Sequence, residues 1–435
     1  MSELLERFRT AYRNLQLLPL LKKEELEKFY VPYAINVIEE LEQVVEDCFD
    51  TNNKIIFTGH RGCGKSTLLG RFAERMSDRF FVVFFSISDL IEMSDINHIN
   101  ILFAIAVQMM AEAEQQQINI AESTKLSLYE WFATKTQTEV ETPLKAELSA
   151  GFNLFNLIKG KLQSDAFMRR ELKQEFERKT TELVARLDEI AAIIQQAIGK
   201  EILVIIDDID KIDLKVVREI FHDNVKMLFK PTMRIIFSIP IATLREIDIR
   251  RHLESETSNQ IHVMPVAKLY PKPDINNREK EVEPRRETLK TFSDILYERI
   301  DPEIIDRDAV ETIMLKSGGV LRELIRIASV CCTKCLLEIR RDKSRDDIRI
   351  NAEILDKALT DIRNDFATPL SKRHYDILVK TYRELQQNTE NDEELEKFRA
   401  LLHGLYILEY RNADQWYDIH PIVYDLLKRK GLFLT

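Results

Sequence analysis

Apolar residues recur along this chain in two distinct rhythms. Between Tyr33 and Phe49, Ile35, Val37, Ile38, Leu41, Val44 and Val45 fall at helical spacing, and residues 1–53 as a whole predict a helical region. Five short β-branched and aromatic runs follow, at 54–58, 80–87, 201–206, 234–239 and 261–269, with helical patterns between most of them. Runs that are apolar throughout, rather than alternating, suit strands covered on both faces. The pattern therefore predicts an α/β fold built on a parallel, doubly wound sheet with helices on both faces.

One interval breaks the rhythm. Residues 88–200 separate the second run from the third, far more than an ordinary strand–helix–strand connection needs. Residues 97–117 read as the sheet's own helix, and 118–197 as a helical insertion. Within it Leu172, Phe176, Leu183, Leu187, Ile190 and Ile194 form a stripe that is either the seam of a helical hairpin or a partner-facing or lid surface, while 140–155 partly alternates as a hairpin tip would. Residues 270–284 are rich in Pro and charge and predict a linker that ends a core of 54–270. Beyond it, 285–365 predict a helical lid domain. Residues 366–435 predict two helices, two short alternating runs about a polar turn and a last helix from Pro421, a winged-helix layout.

With 435 residues, 45% apolar, 31% charged, and only 11 Gly and 12 Pro, the chain reads as a helix-rich globular protein of about two to four domains. A net charge of −10 argues against a broadly basic, nucleic-acid-coating surface but leaves room for a local patch. No run of 18 apolar residues occurs and the first residues lack a signal-peptide layout, so a cytoplasmic protein with no membrane span is expected. Five cysteines, an odd number, fit a reducing compartment. Cys331, Cys332 and Cys335 share a helical stretch without a second Cys/His pair nearby, which favours buried small side chains over a metal site.

The chemistry concentrates in Gly59-His60-Arg61-Gly62-Cys63-Gly64-Lys65-Ser66, a G-x-x-x-x-G-K-[ST] loop that follows the first strand pattern and opens a helix at Thr67. Glycines there let backbone N–H groups approach phosphates, Lys65 reaches the β- and γ-phosphates, and the Ser66 hydroxyl can ligate Mg²⁺. The loop of Gly59, Gly62, Cys63, Gly64, Lys65, Ser66 and Thr67 is the expected nucleotide cradle. The third apolar run ends in Asp207-Asp208-Ile209-Asp210, where a parallel sheet presents its ligands. Asp207 is expected to hold Mg²⁺ and Asp208 to polarise the attacking water, although Asp208 and Asp210 can equally cap or brace the next helix. Ser238 ends the fourth run, either touching the γ-phosphate or bonding to nearby backbone. Arg322, after Gly318-Gly319, either reaches back to the phosphates or forms a surface ion pair.

Together these features resemble the AAA+ and STAND superfamilies of P-loop ATPases, with an additional strand in the sheet. The resemblance covers roughly residues 30–270 as core and 285–435 as accessory domains, leaving 118–197 outside it. It implies ATP and Mg²⁺ as ligands and a homo-oligomeric, slowly hydrolysing switch acting on a protein effector, in prokaryotic defence or signalling. Asp208 stands where AAA+ proteins more often have Glu, which fits slow hydrolysis. Arg250 and Arg251 occupy the place of a neighbour-facing arginine finger and are equally plausible surface charges. The alternative implied is a DNA-binding AAA+ protein of initiator, loader or transposition-regulator type. Residues 392–399, with four acids against two bases, favour protein contact over DNA, whereas Arg411 and Lys428-Arg429-Lys430 can touch a phosphate backbone.

Overall fold

The computed structural model describes residues 3–47, 53–137, 154–275, 278, 282–342, 345–412 and 414–433. The chain divides into two compact units. One comprises residues 37–58 and 69–262; the other comprises 1–36, 59–68 and 263–435.

The first unit is built on a five-stranded parallel sheet of β1 (Lys54–Gly59), β2 (Phe80–Ser86), β3 (Glu201–Asp207), β4 (Arg234–Pro240) and β5 (Ile261–Met264), flanked by helices. Its order is β2-β3-β4-β1-β5, so β4 is the additional strand, lying between β1 and β3. Every residue of β1 and β4 is buried, as is β3 after Glu201. This is why these strands read as unbroken apolar runs. β5 stops short of the run at 261–269 because Pro265 follows it and has no N–H to give to the ladder. The pairing of β2 with β3 sets Ser86 opposite Asp207. Thr58 Oγ1 donates to the Ile239 carbonyl at 2.8 Å, fastening the ends of β1 and β4.

Helix His98–Gln115 follows β2, capped by Asn97, whose Oδ1 accepts from the N–H groups of Ile99 and Asn100 at 3.1 Å. The insertion adds helices Glu122–Lys135, Leu154–Ser164, Ala166–Glu177 and Thr180–Ile198. Its stripe of Leu172, Phe176, Leu183, Leu187, Ile190 and Ile194 is buried throughout, so it is a packing seam and not an exposed surface. Phe103, Tyr129, Trp131, Phe132 and Phe155 form an aromatic cluster, edge-to-face except for the tilted Phe103–Trp131 pair, that seats the insertion on helix His98–Gln115. The hairpin-like tip expected at 140–155 falls mostly on 138–153, outside the described residues, and Leu154 and Phe155 open a helix.

In the second unit, helix Glu3–Asn14 packs on Leu321–Arg341, within a block that also holds Arg286–Tyr297, Arg307–Lys316 and Ala352–Ala367. Cys331, Cys332 and Cys335 are buried free thiols on Leu321–Arg341, as expected, and burial pushes Cys332 up to about 12. A C-terminal module follows: helices Lys372–Glu384 and Asp392–His403, the antiparallel pair β6 (Ile407–Asn412) and β7 (Asp414–Ile419), and helix Pro421–Arg429. Tyr410 faces Trp416 across the pair, their rings stacked at 4.5 Å. These two pack with Val266, Val320, Leu385, Leu405 and Leu408 in one apolar cluster.

Candidate functional site

The phosphate loop runs from the end of β1 into helix Lys65–Met76. Lys65 is buried, its ammonium donating to the carbonyls of Gly59 at 3.0 Å and His60 at 2.9 Å. The Cys63 thiol donates to the His60 carbonyl at 2.9 Å, so this cysteine braces the turn from inside. Thr67 is engaged elsewhere, its hydroxyl accepting from the Leu20 N–H at 3.0 Å, and Ser66 is half-buried. At Gly62 the backbone is left-handed, with φ of 79°, and a Cβ there would lie 2.4 Å from the Cβ of Arg322. Only glycine satisfies both conditions.

Arg322 touches the loop through its backbone. Its N–H donates to the Gly62 carbonyl at 2.9 Å, at the start of helix Leu321–Arg341. The turn before that helix needs Gly319, whose φ is 84° and whose Cβ would meet the Ala267 carbonyl oxygen at 2.1 Å. The Gly-Gly-x-x-Arg pattern thus sets a close backbone junction. The C-terminal module reaches the same region. The Glu409 N–H donates to Nε2 of His60 at 2.8 Å, and the Tyr410 hydroxyl donates to the Gly318 carbonyl at 2.8 Å.

At the end of β3, Asp207, Asp208 and Asp210 are all buried, and one ligand oxygen from each lies within 4.8 Å of the others. Among the described residues this is the one carboxylate, His or Cys group with that convergence. A buried set of carboxylate oxygens is the donor chemistry that Mg²⁺ takes. Asp208 adopts a left-handed backbone, with φ of 69°. Its Oδ2 accepts from Ser86 Oγ at 2.7 Å and Ser88 Oγ at 3.1 Å, and its Oδ1 pairs with Lys211 Nζ at 2.5 Å. Burial alone would push this carboxyl up. The Lys211 ammonium and the two hydroxyls outweigh it and hold the group below the usual carboxylate range. Asp89, close by, is pushed up by burial and by the Asp208 charge, with Lys211 opposing.

Ser238 lies near the end of β4, fully buried, and its hydroxyl finds no hydrogen-bond partner among the described residues. An orphaned buried hydroxyl costs about 1–3 kcal/mol, which a ligand can recover. Arg250 and Arg251 are exposed on helix Ile247–Glu256, and Arg250 Nε donates to Glu254 Oε1 at 2.7 Å. Ser86, Ser88, Lys211 and Glu409 lie outside any motif, and His60 fills a variable position of the phosphate loop. The one usable signal was Ser86-x-Ser88 at the end of an apolar run, the same position Ser238 holds on β4.

A parallel sheet with a strand between β1 and β3, a glycine–lysine loop after β1 and carboxylates ending β3 define a P-loop NTPase. The KAP family P-loop domain matches residues 34–261, more than half of the chain, and the chain belongs to that family. Among curated proteins none matches significantly. Solved structures to which the chain is similar include the Walker-type ATPase PABY2304 of Pyrococcus abyssi, at 14% identity, 95% of this chain, 99% of that chain and a TM-score of 0.45. Cdc6p from Pyrobaculum aerophilum is 11% identical over 95% of this chain and 97% of its own, with a TM-score of 0.39. Aeropyrum pernix ORC1, solved in complex with DNA, is 12% identical over 94% and 96%, with a TM-score of 0.38. Likenesses at these scores bring no residue role or partner to this chain. No helix among the described residues is long and apolar enough to cross a membrane.

Proposed function

We propose that this protein is an ATP-binding, Mg²⁺-dependent switch in which occupancy of the loop at 59–66 is passed to the C-terminal module. The observation that carries the reading is the pair of direct contacts on the loop, Glu409 N–H to His60 Nε2 and Arg322 N–H to the Gly62 carbonyl. A ligand that draws Lys65 from the Gly59 and His60 carbonyls also alters the residue that holds Glu409. In this reading Gly59, Gly62, Gly64 and Lys65 bind phosphates, and Ser66 and Asp207 hold Mg²⁺, which neutralises phosphate charge when bound. Ser238 senses the nucleotide with its orphaned hydroxyl. Asp208 polarises water, and because three donors weaken it as a base, hydrolysis is slow.

Transmission to a protein effector and ATP-dependent homo-oligomerisation follow as parts of the same proposal, with Arg250 and Arg251 available to a neighbour. A defence role rests on the STAND resemblance alone. The test is hydrogen exchange across 405–420 with and without Mg·ATP, alongside the assembly state. Faster exchange in β6 and β7 on binding is expected. Unchanged exchange at saturating ATP overturns the switch.

A second reading, in which the C-terminal module is a winged helix that binds DNA, is favoured by a specific patch. Lys372 and Arg373 open helix Lys372–Glu384, and Lys428, Arg429 and Lys430 end the chain's last helix; all five are exposed. Lys430 Nζ sits 5.2 Å from the Tyr375 ring, which brings the two groups together. Affinity for duplex DNA should fall steeply with salt and weaken on Lys428→Glu; absence of binding at low salt removes this reading.

A further inference from the structure

Arg169 is among the largest fully buried side chains and lies on helix Ala166–Glu177 of the insertion, 1% exposed. Both edges of its guanidinium are used. Nη1 donates to the carbonyls of Leu162 at 2.6 Å and Gln163 at 2.9 Å, satisfying the end of the preceding insertion helix. Nε and Nη2 donate to Asp95 Oδ2 at 3.0 and 2.7 Å, and Nη2 reaches Glu92 Oε2 at 3.3 Å. A buried cation this fully bonded fixes its partners, since losing one leaves a charge unpaired.

Asp95 and Glu92 belong to the segment joining β2 to helix His98–Gln115, and that segment is pinned at both ends. At its far end the Asp95 carbonyl accepts from Asn97 Nδ2 and Asn100 Nδ2, each at 3.0 Å, locking it to the helix cap. At its near end stand Ser86 and Ser88, whose hydroxyls are 2.7 Å apart and hold Asp208. The insertion therefore grips one end of a short segment whose other end grips the carboxylate.

We propose that Arg169 is a positioning residue through which the insertion holds Asp208 in its restrained state, so that a partner displacing the insertion helices would speed hydrolysis. This rests on the reading of Asp208 as the water-polarising group. Releasing Asp95 from Arg169 loosens segment 87–97, lets Ser88 leave Asp208 while Ser86 stays in the β2 ladder, and leaves the carboxylate freer to accept from water.

The test uses the full-length protein and steady-state ATP hydrolysis. Asp95 is partly exposed at the surface of the network, and Asp95→Asn and Arg169→Lys are each used where the melting curve matches wild type. Either should raise kcat at least about threefold with KM for ATP within about twofold, a gain that loss of a merely structural contact does not produce. The variant Ser88→Ala should raise kcat similarly, and adding Asp95→Asn should bring no further gain. An unchanged or lower kcat in Asp95→Asn, or gains that multiply, overturns the inference. Asp208→Asn is the separate control. If it is slow while Asp95→Asn behaves as wild type, only the inference falls; if it turns over at the full rate, the assignment of Asp208 and the inference fall together.

Discussion

The backbone N–H of Glu409 donates to Nε2 of His60 at 2.8 Å, joining a β-strand near the end of the chain to a side chain inside the phosphate loop. Both residues are buried. His60→Ala would leave a buried N–H without its acceptor, at a cost of about 1–3 kcal/mol. The expected outcome is a lower melting temperature together with faster amide exchange in β6, measured by mass spectrometry. Melting at the wild-type temperature would mean that the contact contributes nothing.

Gly62→Ala places a methyl group 2.4 Å from the Arg322 Cβ at a φ of 79°. Strain and clash act together, so a loss of at least about 1–3 kcal/mol and weaker ATP binding are expected. Gly160 supplies the contrast. It lies exposed within helix Leu154–Ser164 with open space at its Cβ position, so Gly160→Ala should stabilise the protein by about 0.5–1 kcal/mol in denaturant titrations.

Lys65→Ala removes a cation that bonds to the loop's own carbonyls and, in the proposed function, to phosphate. Calorimetric titration with Mg·ATP should show a loss of affinity of at least about 100-fold, with the circular dichroism spectrum kept. Full affinity in this variant would withdraw the phosphate loop from nucleotide binding.

Acid sensitivity should centre on His420. Burial, with the charges of Arg326 and Lys316, lowers it to about 3, against a backbone contact with Ser317 that acts the other way. Its Nδ1 accepts from the Ile422 N–H at 3.3 Å, which fits a neutral ring. The unfolded chain takes up this proton near pH 6.5 and the folded chain only near 3. Stability is therefore unaffected above about pH 6.5 and falls as pH drops through that window, by up to about 1.4 kcal/mol per unit. His420→Gln should flatten this slope in urea denaturation at pH 7, 6, 5 and 4; an equal slope removes His420 as its source.

Much of the fold was legible because the sheet is covered on both faces: β1, β3 and β4 announce themselves as apolar runs, and the loop by its glycines and Lys65. The restraint on Asp208 was hidden, because it depends on the β2–β3 register that sets Ser86 opposite Asp207, and neither serine has a periodicity of its own. Nothing in the sequence marks Arg169, because arginines are seldom fully buried and its partners lie more than seventy residues earlier. The His60–Glu409 bond spans 349 positions, beyond anything local spacing can encode. The position of Ser238 is legible from the end of its apolar run, whereas its hydroxyl's lack of a partner among the described residues is not.

Glu409 and Tyr410 are consecutive on β6, and between them they hold His60 and the Gly318 carbonyl. Successive residues of a strand present alternate geometry, so a slip of β6 by one residue against β7 would exchange the two and satisfy neither. The hairpin register is thus part of the specification of the phosphate loop. Single-residue insertions or deletions in β6, between its partners on β7 and the residues that hold His60 and Gly318, should damage a motif more than three hundred residues away in sequence.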